Sequence, residues 1–240
     1  MPSKNRIKHY SPGGTYHIYN RGIDGREIFG DEEDYSQFVS VLERYLGEQV
    51  QTKESIYKKE RPYLALHRQH MMLAEEVELL AICLMPDHFH MLIWQKNLDG
   101  MKKLMRRVIT NYVMYYNNKY KRSGTLFENV YRAVTVEPGE QGVLVSKYIH
   151  TNPMTRQVKR FGLVETSSGS NPEYYMYSSY ANYLEKNNSG INPGIIKTEK
   201  IRSWFHQSKW SDRGKSYQKF VEEPVANWNE VLGGLVIEKL

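Results

Sequence analysis

Residues 77–94 constrain the fold more than any other stretch of this chain. Residues 77–84 read Val-Glu-Leu-Leu-Ala-Ile-Cys-Leu, an apolar run with the length of one buried strand. Pro86 and Asp87 make a turn, and residues 88–94, His-Phe-His-Met-Leu-Ile-Trp, return as a second strand. Two strands joined by so short a turn must pair antiparallel. A hairpin this apolar needs further strands and covering helices before it is stable in water.

The rest of the chain supplies them. Residues 15–21 carry the β-formers Tyr16, Ile18 and Tyr19 after a Pro12-Gly13-Gly14 turn. Residues 22–30 read as a loop. A helix capped at Asp31 follows, with Tyr35, Phe38, Val39, Leu42 and Leu46 at helical spacing. Residues 98–120 form a long helix through Met101, Leu104, Met105, Val108, Tyr112 and Tyr115, and 121–124 a basic turn. Residues 133–136 are a strand. Residues 139–152 are a helix stopped by Pro153, because proline disfavours helical geometry at the residue before it. This order predicts an α+β fold, a ferredoxin-like antiparallel sheet with helices on one face. Residues 1–160 are expected to be the core, with a polar insertion at 47–75. Residues 161–240 form a C-terminal helical extension: a Ser/Gly-rich loop at 162–172, an aromatic segment at 174–183, a linker at 187–194 and a helix at 198–210.

Charge narrows the partner. The net charge is +6, and the 19 tyrosines offer faces on which unpaired bases stack, although most of them are expected at core edges. Residues 3–9 add a short basic arm. No apolar run is long enough for a membrane span, and the polar, basic first ten residues do not resemble a secretion signal. The lone cysteine, Cys83, precludes an internal disulfide, which fits a cytoplasmic location.

Two short stretches carry chemistry. In the second strand of the hairpin, side chains alternate, so His88 and His90 share a face while Phe89 points to the other. Imidazoles about 7 Å apart at their Cα atoms can grip one metal ion. The bare pattern also fits two half-exposed histidines. In Lys147-Tyr148-Ile149-His150-Thr151-Asn152-Pro153, Tyr148 and Asn152 are four apart and share a helix face, while His150 points elsewhere. Asn152 can offer an amide oxygen to a metal and Tyr148 a nucleophilic phenol; equally, Tyr148 could be core and Asn152 a helix cap.

Taken together these stretches resemble a family. Cys83 to Ile93 is similar to the HUH motif of the single-tyrosine transposases, the insertion-sequence-200-like group that includes the transposases associated with REP elements. Tyr148 to Pro153 resembles that family's tyrosine helix, and Tyr16 to Gly22 with Ile28-Phe29 its first strand and loop. Ser123 to Phe127 resembles the turn after its long helix, and Ser178-Ser179-Tyr180 its Ser-Ser-Tyr. The likeness covers about residues 10–185. It departs at Asn129-Val130-Tyr131, where the family commonly has Gly-Arg-Tyr; Arg132 is the neighbouring basic side chain.

The resemblance implies an HUH endonuclease core in which His88, His90 and Asn152 hold one Mg²⁺ or Mn²⁺. Tyr148 would attack a phosphate of single-stranded, hairpin-containing DNA, leaving a 5′-phosphotyrosine that a 3′-hydroxyl can resolve by rejoining. Candidate backbone contacts are Arg21, Lys102, Lys103, Arg106, Arg107, Lys121, Arg122 and Arg132. The expected state is a monomer or homodimer with no membrane partner. The competing readings are a domesticated hairpin-DNA-binding protein that does not cut, and a metal-dependent hydrolase of another class.

Overall fold

The computed structural model describes residues 10–47, 72–155, 172–186 and 188–235. The basic arm at 3–9, most of the 47–75 insertion, all but the last residue of the loop at 162–172 and the expected core boundary at 160 lie outside the described residues.

Four strands form one antiparallel sheet: β1 (Thr15–Arg21), β2 (Val77–Met85), β3 (His88–Gln95) and β4 (Arg132–Val136), in the order β2-β3-β1-β4. The hairpin pairs Met85 with His88 and Cys83 with His90. On its other side β3 meets β1, with Arg21 opposite His88 and Tyr19 opposite His90.

Three helices belong to this core: α1 (Glu32–Leu46), α2 (Gly100–Lys119) and α3 (Glu140–Thr155). Asp31 caps α1, its carboxylate accepting from Asp34 N at 3.1 Å. Helices α1 and α2 pack on the Phe89 face of the sheet. Phe38 of α1 lies 5.4 Å from the Phe89 ring and 5.1 Å from that of Tyr112 on α2. The Tyr112 hydroxyl donates to the Ile28 carbonyl, fastening the loop after β1 to α2. The expected sheet with helices on one face describes α1 and α2. Helix α3 covers the opposite face, since only there do Tyr148 and Asn152 reach His88 and His90.

Helix α3 also differs from expectation at its end, running through Pro153 to Thr155. Proline's fixed φ suits a helix; it forfeits one N–H bond and crowds the preceding turn. Close to the helix end that cost is small beside the burial of Tyr148, Ile149 and Asn152.

The C-terminal region packs on the sheet. Its helices are α4 (Tyr180–Tyr183), α5 (Glu199–His206), α6 (Lys209–Asp212), α7 (Tyr217–Glu222) and α8 (Trp228–Leu232). The expected helix at 198–210 is therefore two, broken between His206 and Lys209. Main-chain N–H groups of Ser179 and Lys197 donate to Ile82 and Leu79 of β2, and Leu84 N donates to Tyr177 O. These bonds close the β2 edge, which would otherwise expose a row of unpaired backbone groups. Tyr175, Tyr177 and Tyr183 enter the same apolar core as the hairpin. Among the described residues no helix is long and apolar enough to cross a membrane.

Candidate active site

Strand alternation and helix periodicity build the site from two distant segments. His88 and His90 project from the same face of β3, with ring centroids 5.1 Å apart and planes nearly perpendicular. Helix α3 crosses above them. Its Asn152 Oδ1 lies 3.1 Å from His88 Nε2, and the Tyr148 ring lies 5.3 Å from that of His90. All four are buried: His88 is 6% exposed, His90 0%, Asn152 3% and Tyr148 1%. The structure thus brings the expected catalytic tyrosine and the three expected metal ligands together.

The protons in this cluster can be placed. Asp87 Oδ1 accepts from His88 Nδ1 at 2.6 Å, while Arg21 donates to Asp87 Oδ2 from Nη2 at 3.0 Å and Nε at 3.2 Å. His88 Nδ1 therefore carries a proton. In the neutral ring Nε2 then holds a lone pair directed at Asn152 Oδ1, another acceptor. Two electron-pair donors this close need a proton or a cation between them. A divalent cation accepts from both, and His90 stands beside them as a third donor. Two imidazoles and an amide oxygen could hold a divalent cation, and three ligands would leave positions for water and a phosphate oxygen, unlike a closed four-ligand structural zinc site. No group of three or more His, Cys, Asp and Glu side chains could hold a metal among the described residues, so the set depends on Asn152.

His17, which sequence reasoning passed over, belongs to the same cluster. Its Nε2 lies 2.9 Å from His90 Nδ1 and its Nδ1 lies 2.7 Å from the Leu235 carbonyl oxygen. It is fully buried, and burial lowers its pKa to about 4 against the opposing pull of the Leu235 carbonyl. The ring is neutral. The signal was present in β1, where period two puts His17, Tyr19 and Arg21 on one face. Only the β1–β3 register shows that this face is the one carrying His88 and His90.

Tyr148 is enclosed. Its ring meets His17 at 5.8 Å and Trp228 of α8 at 5.3 Å, edge to face in both cases. Trp228 also lines a cavity of about 300 Å³ together with Lys147, Thr151 and Val225 among others. Burial lowers the Lys147 ammonium to about 8, and its Nζ sits over the Phe220 ring at 4.7 Å. His150 points away from the site, as its helical position requires. Its Nδ1 lies 3.0 Å from the Tyr217 hydroxyl and its Nε2 3.1 Å from Ser179 Oγ, which also accepts from Ile82 N at 3.0 Å. The Ser-Ser-Tyr segment thereby joins β2 to α3.

The candidate DNA contacts fall into two groups. Arg21 and Arg132 lie on the His88/His90 face, because Arg132 pairs with Tyr19 and Tyr19 with His90. Arg132 is exposed, whereas Arg21 is one-third exposed and engaged by Asp87. Lys102, Lys103, Arg106 and Arg107 lie on α2, which covers the other face. Lys102 pairs with Asp99 at 3.2 Å and Lys103 with Glu76 at 2.8 Å. Arg107 lies over the Tyr45 ring at 5.5 Å, and Arg106 is exposed. In the turn after α2, Lys121 is exposed and Arg122 lies over the Tyr116 ring at 5.7 Å.

No curated protein matches the chain. Among solved structures, one described as a REP-associated tyrosine transposase bound to a REP hairpin is similar, with a TM-score of 0.49 and 13% identity over 81% of this chain and 92% of that one. Residues 50–152, which include His88, His90, Tyr148 and Asn152, match the model of the family described as "Transposase IS200 like", the group that the motifs of the sequence resemble.

Proposed function

We propose that this chain is a metal-dependent transposase that cuts and rejoins single-stranded, hairpin-containing DNA through Tyr148. The observation that carries the reading is the convergence of Tyr148 and Asn152 of α3 on His88 and His90 of β3. The family match over residues 50–152 and the net charge of +6 support it.

His88 Nε2, His90 Nε2 and Asn152 Oδ1 would hold the ion, which when bound neutralises charge on the scissile phosphate. Tyr148 Oη forms the new bond to phosphorus as the bond to O3′ breaks. The phenolic proton is lost, and the departing oxygen takes up a proton to become a 3′-hydroxyl. The phosphotyrosine ester retains the bond, so a 3′-hydroxyl can later displace Tyr148 and rejoin the strand without a nucleotide cofactor. Tyr148 is 1% exposed, so a phosphate reaches its hydroxyl only when the side chains that cover it have moved aside. Arg132 and Tyr19, beside His90 on the same face, mark the side from which an unpaired strand would approach.

The test is a covalent adduct. End-labelled single-stranded hairpin DNA pools are incubated with the protein and Mn²⁺, then resolved on a denaturing gel. A metal-dependent band that survives detergent and is absent in Tyr148→Phe is the expected result. Binding without an adduct would favour the non-cutting hairpin-binding reading.

A further inference from the structure

Resting on that assignment of the ligands, we infer that His17 is a positioning residue for the metal site. A hydrogen-bonded chain from the Leu235 carbonyl through His17 fixes His90 with its proton on Nδ1 and its lone pair on Nε2.

The Leu235 carbonyl oxygen can only accept, so His17 Nδ1, 2.7 Å away, carries the proton. His17 is enclosed by the Leu235 carbonyl, His90, Tyr19 and Tyr148, with no carboxylate among these contacts to hold a second proton, so its Nε2 keeps a lone pair. His90 Nδ1 lies 2.9 Å from that nitrogen, so the bond forms only if His90 Nδ1 bears a proton. Neutral imidazole has one N–H, and the lone pair of His90 is thereby set at Nε2, the other nitrogen. The two rings are nearly parallel, 16° apart, with centroids at 5.2 Å. His17 and His90 are fully buried and Leu235 is 7% exposed, so bulk water does not compete for these bonds. Both His17 nitrogens are engaged, which makes it a support for a ligand and not a further ligand. His90 thus receives from His17 what His88 receives from Asp87. The chain spans 218 residues of sequence, so the C-terminal region contributes to the chemistry of the first strand.

The test uses the full chain in four forms: wild type, His90→Ala, His17→Leu and His17→Gln. Mn²⁺ affinity is followed by electron paramagnetic resonance, and folding by thermal melts in EDTA. The tautomers of the metal-free wild type are read from long-range ¹⁵N–¹H correlations of its histidines. The expected result is Nδ1–H on both His17 and His90. His17→Leu should weaken Mn²⁺ binding about 10–100-fold, the usual effect of removing an outer partner of a ligand. His17→Gln, whose amide oxygen can accept from His90 Nδ1, should stay within a few-fold of wild type. Wild-type affinity in a folded His17→Leu overturns the inference. If that variant fails to fold, the wild-type spectrum decides, and a proton on His90 Nε2 overturns it. Wild type and His90→Ala binding Mn²⁺ equally would instead remove the ligand assignment, and this inference with it.

Discussion

Each imidazole of the paired histidines has its own partner at Nδ1, and the two partners differ in kind. His17 is neutral and buried; Asp87 is a carboxylate at the rim, its side chain 12% exposed. The Arg21–Asp87 pair adds little stability, since partly exposed ion pairs contribute about 0–1 kcal/mol. The 2.6 Å contact with His88 is a short, charge-assisted bond of the stronger kind. Asp87 therefore matters more for the proton on His88 than for the fold. In Asp87→Asn the shape is kept and the charge lost, and Mn²⁺ affinity should fall roughly 10–100-fold with little change in melting temperature. An unchanged titration with Mn²⁺ would reduce Asp87 to a partner of Arg21 alone.

At the scale of elements, the parts that were legible in the sequence are those with a strong period. The hairpin, α1 and α2 announce themselves because alternation or 3.6-residue spacing persists over several turns. His88 with His90, and Tyr148 with Asn152, could be paired for the same reason. The rest needed information that no local pattern carries. Helices of four to six residues, such as α7 and α8, are too short for an apolar period to show, and packing of Phe220, Val221 and Trp228 holds them in place. The bond between His17 and Leu235 depends on tertiary register. Helix α3 illustrates both cases: its tyrosine face is readable, but its seating is set by a neighbour 62 positions along the chain. A Cβ on Gly142 would lie 2.6 Å from Trp204 Cζ3 on α5, closer than side chains tolerate. Gly142→Ala should gain up to about 1 kcal/mol of helix propensity and lose about 1–3 kcal/mol to overpacking. A net destabilisation of about 1 kcal/mol in urea unfolding is the expected outcome. A stabilised variant would mean that Trp204 yields and that this contact does not seat α3.

Across the whole molecule, the sheet is covered on both faces, and helix α3 is clamped between the histidine face and the C-terminal helices. Two neutral imidazoles sit in that clamp. Burial lowers His17 to about 4 and His150 to about 3, from an ordinary value of 6.5. Above pH 6.5 neither ring is protonated in either state, and their burial is fully stabilising. Below it the unfolded chain takes up protons that the folded chain refuses, so stability falls with pH until the folded values are reached. Each ring contributes roughly 1 kcal/mol per pH unit, or about 3 kcal/mol for the pair between pH 6.5 and 5. The carboxylates whose folded values are lowered, Asp31, Glu140 and Glu223, lie in exposed ion pairs and respond only below their ordinary range near pH 4. Among the described groups with shifted values, His17 and His150 therefore account for the drop in metal-free protein between pH 7 and 5. In His150→Gln the ring that titrates is replaced by a neutral amide, and about half of the drop should disappear from urea unfolding curves at the two pH values. A drop of the same size in that variant would place the acid sensitivity elsewhere and detach His150 from the clamp.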